Sequence, residues 1–116
     1  MDIYHIWCDL KPGISDIEFT EAANSYLDSL VKSDSLAGYR ITRRKLGLGL
    51  AELGEFHLML EFNNLAQLDE TFSKVASRKD PIESFHFSVN SKVSSVKFSL
   101  YRDFPDSVRQ TGGEKF

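Results

Sequence analysis

The sequence has little cysteine and proline and no long apolar run. Cys8 is the one cysteine among 116 residues, which excludes an internal disulfide and a metal site built from several thiolates. The longest apolar runs, such as Leu58-Met59-Leu60, fall far short of the roughly 20 residues that a membrane-spanning helix needs. The first residues carry no basic segment followed by an apolar one, so we expect no secretory signal and a cytoplasmic location.

The chain also lacks an excess of positive charge. Its 14 lysine and arginine residues are outnumbered by 17 aspartate and glutamate residues, which gives a net charge of −3. Proteins that bind nucleic acids neutralise phosphates with lysine and arginine. We therefore expect no nucleic-acid partner, and the absence of long apolar runs predicts no membrane partner. Apolar residues make up 41% of the chain, which is typical of one globular domain with its own core.

Strand and helix patterns alternate along the first half of the chain. Residues 2–10 are rich in β-branched and aromatic side chains and end at a proline-glycine turn, which predicts a first strand. Ser15 and Glu18 form a capping box, and apolar residues then recur at helical spacing as far as Val31. This periodicity is typical of a helix with one buried face.

The second half of the chain repeats this alternation with two strands, a helix and a last strand. The patterns predict strands over 38–45 and 55–62, joined by a glycine-bearing connection over 46–54. A helix over 65–76 and a last strand over 93–102 follow. Residues 82–90 fit both a strand and a short helix, and we favour a helical turn.

The resulting order, β-α-β-β-α-β, predicts an α+β domain of ferredoxin-like topology. Such a domain has a four-stranded antiparallel sheet with two helices on one face. The first strand lies between the third and the fourth, and the second strand lies at an edge. We place this domain at residues 1–104 and interpret residues 105–116 as a polar C-terminal tail.

The face of the sheet opposite the helices carries an unusual set of side chains. Alternation directs Tyr4, Ile6 and Cys8 toward the helices, and it directs the residues between them to the other face. That face carries Ile3, His5, Trp7, Arg40, Thr42, Arg44, His57, Met59, Glu61, Ser95, Lys97, Ser99 and Tyr101. Contiguous apolar side chains on an open face usually mark a partner or a ligand. We therefore expect a homodimer through this face and a small-molecule ligand beside it.

Several segments resemble a small bacterial family of unknown function. They are residues 1–13 (MDIYHIWCDLKPG), 42–49 (TRRKLGLG), 53–57 (LGEFH), 89–93 (VNSKV) and 101–105 (YRDFP). That family looks like part of the dimeric α+β barrel group. The resemblance implies a homodimer whose two sheets face each other and enclose a shared barrel, and it supplies no catalytic residues.

His5 and His57 are the candidate catalytic residues. Both fall on the open face, and their strands are expected to be antiparallel neighbours, so we expect their rings within about 7 Å of each other. Imidazoles that titrate near neutral pH act as acids or bases or bind metals. The alternative is a pair of interface histidines hydrogen-bonded to Glu61, to Tyr101 or to the other subunit. A metal needs at least a third ligand, and Glu61 is the only nearby carboxylate that could supply it, so we predict no metal.

Six further residues are candidate ligand-binding residues, namely Trp7, Arg40, Arg44, Met59, Lys97 and Tyr101. The aromatic and methionine side chains would contact a flat molecule, or they would fill the dimer interface instead. The basic side chains would hold an anion, although charges on an edge strand also prevent unwanted association of sheets. His86 is interpreted as a core histidine rather than a lid residue, and Cys8 as buried and inert.

Two classes of function remain open. The first is an enzyme that transforms a flat, anionic or phenolic molecule in the barrel interior without a tightly bound cofactor, by analogy with monooxygenases, cyclases and isomerases on this fold. The second is a non-catalytic homodimer, either stress-associated or ligand-binding. An open cavity of a few hundred Å³ would favour an enzyme or a binding protein.

Overall fold

A computed structural model describes residues 1–80 and 82–105. Its elements are β1 Asp2–Leu10, α1 Asp16–Lys32, β2 Gly38–Arg43, β3 Phe56–Phe62, α2 Leu65–Ala76, α3 Ile82–Asn90 and β4 Val93–Arg102. None of the helices in these two ranges is long and apolar enough to cross a membrane. Apart from Pro105, the predicted tail lies outside the described residues.

The four strands form one antiparallel sheet in the order β2-β3-β1-β4. The ferredoxin-like topology is therefore confirmed, with β1 in the centre and β2 at an edge. The strand β2 ends at Arg43, two residues earlier than predicted. The backbone N–H of Arg44 still donates to Glu55 O at 2.8 Å, and the connecting loop begins beyond this bond.

The core lies between the sheet and α1. The helix begins at the predicted cap, where Ser15 Oγ accepts a hydrogen bond from the backbone N–H of Glu18 at 3.1 Å. Its inward side chains recur at intervals of three and four residues and are buried: Phe19, Ala23, Leu27 and Leu30. The alternate side chains of β3 are also buried: Phe56, Leu58, Leu60 and Phe62. Burial of these two sets fixes which face of the sheet the helices cover.

A third helix, α3, adds to the two that the sequence predicts. Residues 82–90, which fit a strand or a helix, form a helix of nine residues. The ring centroids of Tyr26 on α1 and His86 on α3 lie 5.7 Å apart. Helical spacing brings Ile82, His86 and Val89 to one side of α3, and Val89 packs against the core.

The helices leave β4 partly open. Phe98 and Leu100 lie on the helix side, as predicted, yet 58% and 51% of their surfaces remain exposed. The ring of Phe98 stacks on that of Tyr4 at a centroid distance of 5.6 Å. A gap between the helices and this edge strand therefore connects the interior to solvent.

The loop before β3 approaches the backbone of β1 closely. The pairing of β1 with β4 shifts register between Cys8 and Leu10. Opposite this irregularity the backbone N–H of Glu55 donates to Asp9 Oδ1 at 2.9 Å. A Cβ atom added to Gly54 would lie 2.4–2.7 Å from backbone atoms of Cys8. The chain therefore requires glycine at position 54.

Candidate functional site

The open face of the sheet consists of three rows that run across the strands. From β2 to β4 the rows are Thr42–His57–Trp7–Lys97, Arg40–Met59–His5–Ser99 and Gly38–Glu61–Ile3–Tyr101. Seven of the eight predicted site residues lie in these rows. We call this surface the outer face.

His5 and His57 lie on the outer face as diagonal neighbours and contact each other directly. His5 Nδ1 lies 2.8 Å from His57 Nε2, and the ring centroids are 5.1 Å apart with planes inclined by 20°. The centroid distance is close to the nitrogen distance plus the two ring radii, so the rings meet edge to edge. One imidazole therefore donates its N–H to the other, and the expectation of proximity is confirmed.

Two aromatic side chains enclose this histidine pair. The ring of Trp7 lies parallel to that of His57, with centroids 4.4 Å apart and planes inclined by 8°. Tyr101 meets His5 edge to face at a centroid distance of 5.0 Å. Such contacts add to the apolar burial of the rings and hold them in place. The outer face thus presents a preorganised aromatic cluster made of Trp7, His57, His5 and Tyr101.

Acid is expected to destabilise the protein through this cluster. Burial lowers the pKa of His5 and of His57, and the charge of His5 lowers the pKa of His57 further. Because the unfolded histidines titrate near pH 6.5, the unfolded chain binds protons more readily below this pH. Stability is therefore complete above about pH 6.5 and is lost as the pH falls through the folded pKa values.

Thermal unfolding between about pH 7.5 and about pH 5.5 measures this effect. The Tm of the natural protein should fall over this range, whereas His57→Gln, which keeps hydrogen-bonding groups but does not titrate, should show a smaller fall. Identical slopes in the two proteins would show that the histidine pair does not control the pH dependence.

The three basic candidates do not form one group. Arg40 and Lys97 lie on the outer face, in different rows and on opposite edge strands. The guanidinium of Arg44 instead donates from Nη2 to the carbonyl oxygens of Leu50 and Leu53, at 3.2 and 2.6 Å. Arg44 stabilises the β2–β3 connection, and this corrects its predicted position in a shared ligand site.

The main cavity lies on the other side of the sheet, between the strands and the three helices. Its volume is about 460 Å³. Its walls are formed largely by aliphatic and aromatic side chains, among them Ile6, Leu27, Leu30, Leu58, Leu60, Phe62, Val89 and Val96. The exposed rings of Phe72 and Phe98 mark its mouth. Sequence reasoning placed the ligand on the outer face, whereas the structure shows open space under the helices.

Polar groups in the cavity wall were missed as functional candidates. His86 and Tyr26 line the cavity together, at its α1–α3 side. Burial and the charge of Glu83 raise the pKa of Tyr26 to about 12, so its hydroxyl remains protonated. Burial and Asp9 raise the pKa of the Cys8 thiol to about 11, which agrees with the prediction of an inert thiol. The helical spacing of His86 indicated burial but not the space beside it.

Within residues 1–80 and 82–105, no group of three or more histidine, cysteine, aspartate or glutamate side chains is arranged to hold a metal ion. The histidine pair therefore lacks a third ligand in the described part of the subunit.

The whole chain, residues 1–116, matches the family DUF6614, a family of unknown function. The chain belongs to this family. No relative among curated proteins matches it. The resemblance noted in the sequence, to a family without an assigned activity, is thereby confirmed.

Solved structures of similar proteins share the fold. The protein At3g17210 from Arabidopsis thaliana has a TM-score of 0.71 and 12% identity, over 93% of this chain and 100% of that chain. A dimeric ferredoxin-like protein of unknown function from Jannaschia sp. CCS1 has a TM-score of 0.64 and 13% identity, over 89% and 100%. SnoaB, a cofactor-independent oxygenase from Streptomyces nogalater, has a TM-score of 0.65 and 4% identity, over 93% and 96%.

Proposed function

We propose that this protein binds a neutral, largely apolar organic molecule in the cavity between the sheet and the helices. The observation that carries this proposal is the cavity itself, about 460 Å³ with predominantly apolar walls. Ligand sites are typically clefts of about 300–1,000 Å³ with apolar linings and a few polar groups. The cavity meets each of these criteria within one subunit.

The charge of the ligand follows from the lining. None of the described lining residues is lysine, arginine, aspartate or glutamate. An ionised ligand would lose its hydration there without gaining an ionic partner. The anionic ligand expected from Arg40 and Lys97 therefore does not suit this cavity, because these residues lie on the opposite face of the sheet.

The outer face is proposed to form a homodimer. Trp7 and Met59 lie half-buried on it beside the histidine pair, and an unpartnered sheet face with such side chains favours association. Several proteins of the same fold, including the one from Jannaschia, are described as dimeric. We expect an interface of at least standard size, about 1,600 Å² in total.

A second candidate function is proton transfer by the histidine pair. The 2.8 Å contact of His5 with His57 favours this candidate, because one imidazole already shares its proton with the other. In a homodimer the pair would face a molecule held between the two sheets, with Trp7, Met59 and Tyr101 as apolar contacts. Such an enzyme would require no tightly bound cofactor, and the oxygenase SnoaB is described as cofactor-independent.

The neutral fluorescent probe N-phenyl-1-naphthylamine tests the cavity proposal. We expect saturable binding with one site per subunit. Val75→Trp, which places a large side chain in the cavity wall, should weaken binding at least about tenfold. Met59→Trp adds the same ring to the outer face and should leave the affinity nearly unchanged.

The two variants distinguish the two sides of the sheet. Loss of binding in Met59→Trp with retention in Val75→Trp would assign the site to the outer face. Unchanged binding in both variants would show that neither site takes the probe.

A further inference from the structure

One wall of the cavity carries polar groups that have no partners. Among the described residues, the hydroxyl of Tyr26 and the ring nitrogens of His86 make no hydrogen bond, although both side chains line the cavity. Glu83 lies one helical turn before His86 on α3. Its Oε2 atom is buried and has no hydrogen-bond partner in the described part of the chain, while Oε1 lies 3.8 Å from Arg78 Nη1.

An unpaired polar group in a cavity wall loses its hydration when a ligand fills the cavity, unless the ligand supplies a hydrogen-bond partner. The large majority of buried polar atoms in folded proteins form hydrogen bonds, since an unsatisfied one loses its hydration without compensation. The hydroxyl of Thr71 in the same wall donates to Ser35 O at 2.6 Å, whereas that of Tyr4 makes no hydrogen bond among the described residues. Tyr26 and His86 are neighbours in this wall, with ring centroids 5.7 Å apart, so one polar group of a ligand can reach both side chains.

We propose that the ligand of this cavity is an alcohol or phenol whose hydroxyl group is bound by Tyr26 and His86. This inference rests on the proposed function and specifies its chemistry. A protonated tyrosine donates a hydrogen bond, and a neutral imidazole has one nitrogen that accepts one. A hydroxyl group satisfies both, since its oxygen accepts from Tyr26 and its proton goes to His86.

A carbonyl group fits this wall less well. Its oxygen only accepts, so the accepting nitrogen of His86 would remain unsatisfied. A hydroxyl group supplies the donor that this nitrogen needs. The apolar body of the ligand would then extend along Leu27, Leu30, Leu58 and Phe62, which also line the cavity.

A matched pair of probes tests the hydroxyl, namely 2-naphthol and 2-methylnaphthalene. They share the ring system and differ in a hydroxyl group against a methyl group. A purely apolar wall would favour the methyl compound, because water solvates it less well. In the natural protein we expect calorimetric titration at neutral pH to show tighter binding of 2-naphthol.

The variants Tyr26→Phe and His86→Phe remove the polar groups and keep the ring volume. In the double variant, the ratio of the Kd of 2-methylnaphthalene to that of 2-naphthol should fall by roughly tenfold, the loss expected for one or two hydrogen bonds. Binding of 2-methylnaphthalene shows that the cavity is still folded. Tyr26→Phe alone, which removes a single oxygen atom, gives the same test with minimal change.

The control is His57→Phe, which makes the same exchange on the outer face and should leave the ratio unchanged. If the ratio is the same in the natural protein and in the double variant, the hydroxyl proposal is wrong while the cavity proposal stands. If the natural protein binds neither probe, the cavity proposal itself fails.

Discussion

Trp7→Glu is expected to convert a homodimer into a monomer of 13.2 kDa. Trp7 lies in the central strand of the outer face, stacked on His57, and would be near the middle of a face-to-face interface. A carboxylate at this position would lose its hydration against the partner sheet even if it paired with Lys97, its neighbour in the row, and the exchange would also remove the aromatic contact. Truncation or mispairing at such interface centres costs several kcal/mol, or at least about a hundredfold in Kd.

Sedimentation at micromolar concentration measures this change, and Cys8→Ser provides the matched control. Cys8 is the next residue of the same strand, is only 2% exposed and faces the helices. Its exchange alters the core but not the outer face, so Cys8→Ser should remain dimeric. A natural protein that sediments as a monomer would disprove association through this face.

Gly54→Ala is expected to destabilise the fold by about 1–3 kcal/mol or more, which lowers Tm by several degrees. The new methyl group would lie 2.4–2.7 Å from the C, O and N atoms of Cys8, and real Cβ atoms do not approach backbone so closely. The relevant atoms belong to the central strand, so no side chain can move to relieve the contact. The loop must shift, which would weaken the bond from Glu55 N to Asp9 Oδ1.

Gly38→Ala makes the same exchange where the structure tolerates it. A Cβ atom there meets only Glu61 Oε2, at 3.3 Å, and that carboxylate lies at the end of a flexible side chain. The lower chain entropy of alanine in the unfolded state partly offsets any cost. Chemical denaturation should therefore show a small change for Gly38→Ala. Equal losses in the two variants would contradict the role assigned to the close approach at Gly54.

The sequence predicted the sheet well because alternation is a strong local signal. In β3 the inward residues are buried while His57 and Met59 between them are only half-buried. The same alternation, together with the antiparallel pairing of β1 and β3, predicts His5 beside His57 from the sequence alone. Strand order also followed from the element order, because few topologies satisfy the connection rules for six elements.

The cavity was not predicted, because periodicity indicates which face is covered and not how completely the layers fill the space between them. Small side chains such as Ala23 and Thr71 lie in the cavity wall, but the same residues occur in closely packed cores. The volume depends on where α3 packs, and residues 82–90 fitted two structures. The orientation of Arg44 could not be predicted either, because it depends on hydrogen bonds to two loop carbonyls rather than on alternation along the strand.

Because the side chains of β1 alternate between its two faces, one strand contributes both to the cavity and to the outer face. Tyr4, Ile6 and Cys8 line the cavity, whereas the only tryptophan of the chain, Trp7, lies on the outer face. Its indole emission is consequently an intrinsic optical signal for dissociation of the proposed homodimer and for protonation of the histidine pair. The NMR resonances of Tyr4 and Tyr26, which line the cavity, report independently on whether a ligand fills the cavity. Assembly and ligand capture can thus be followed separately in the unlabelled natural protein.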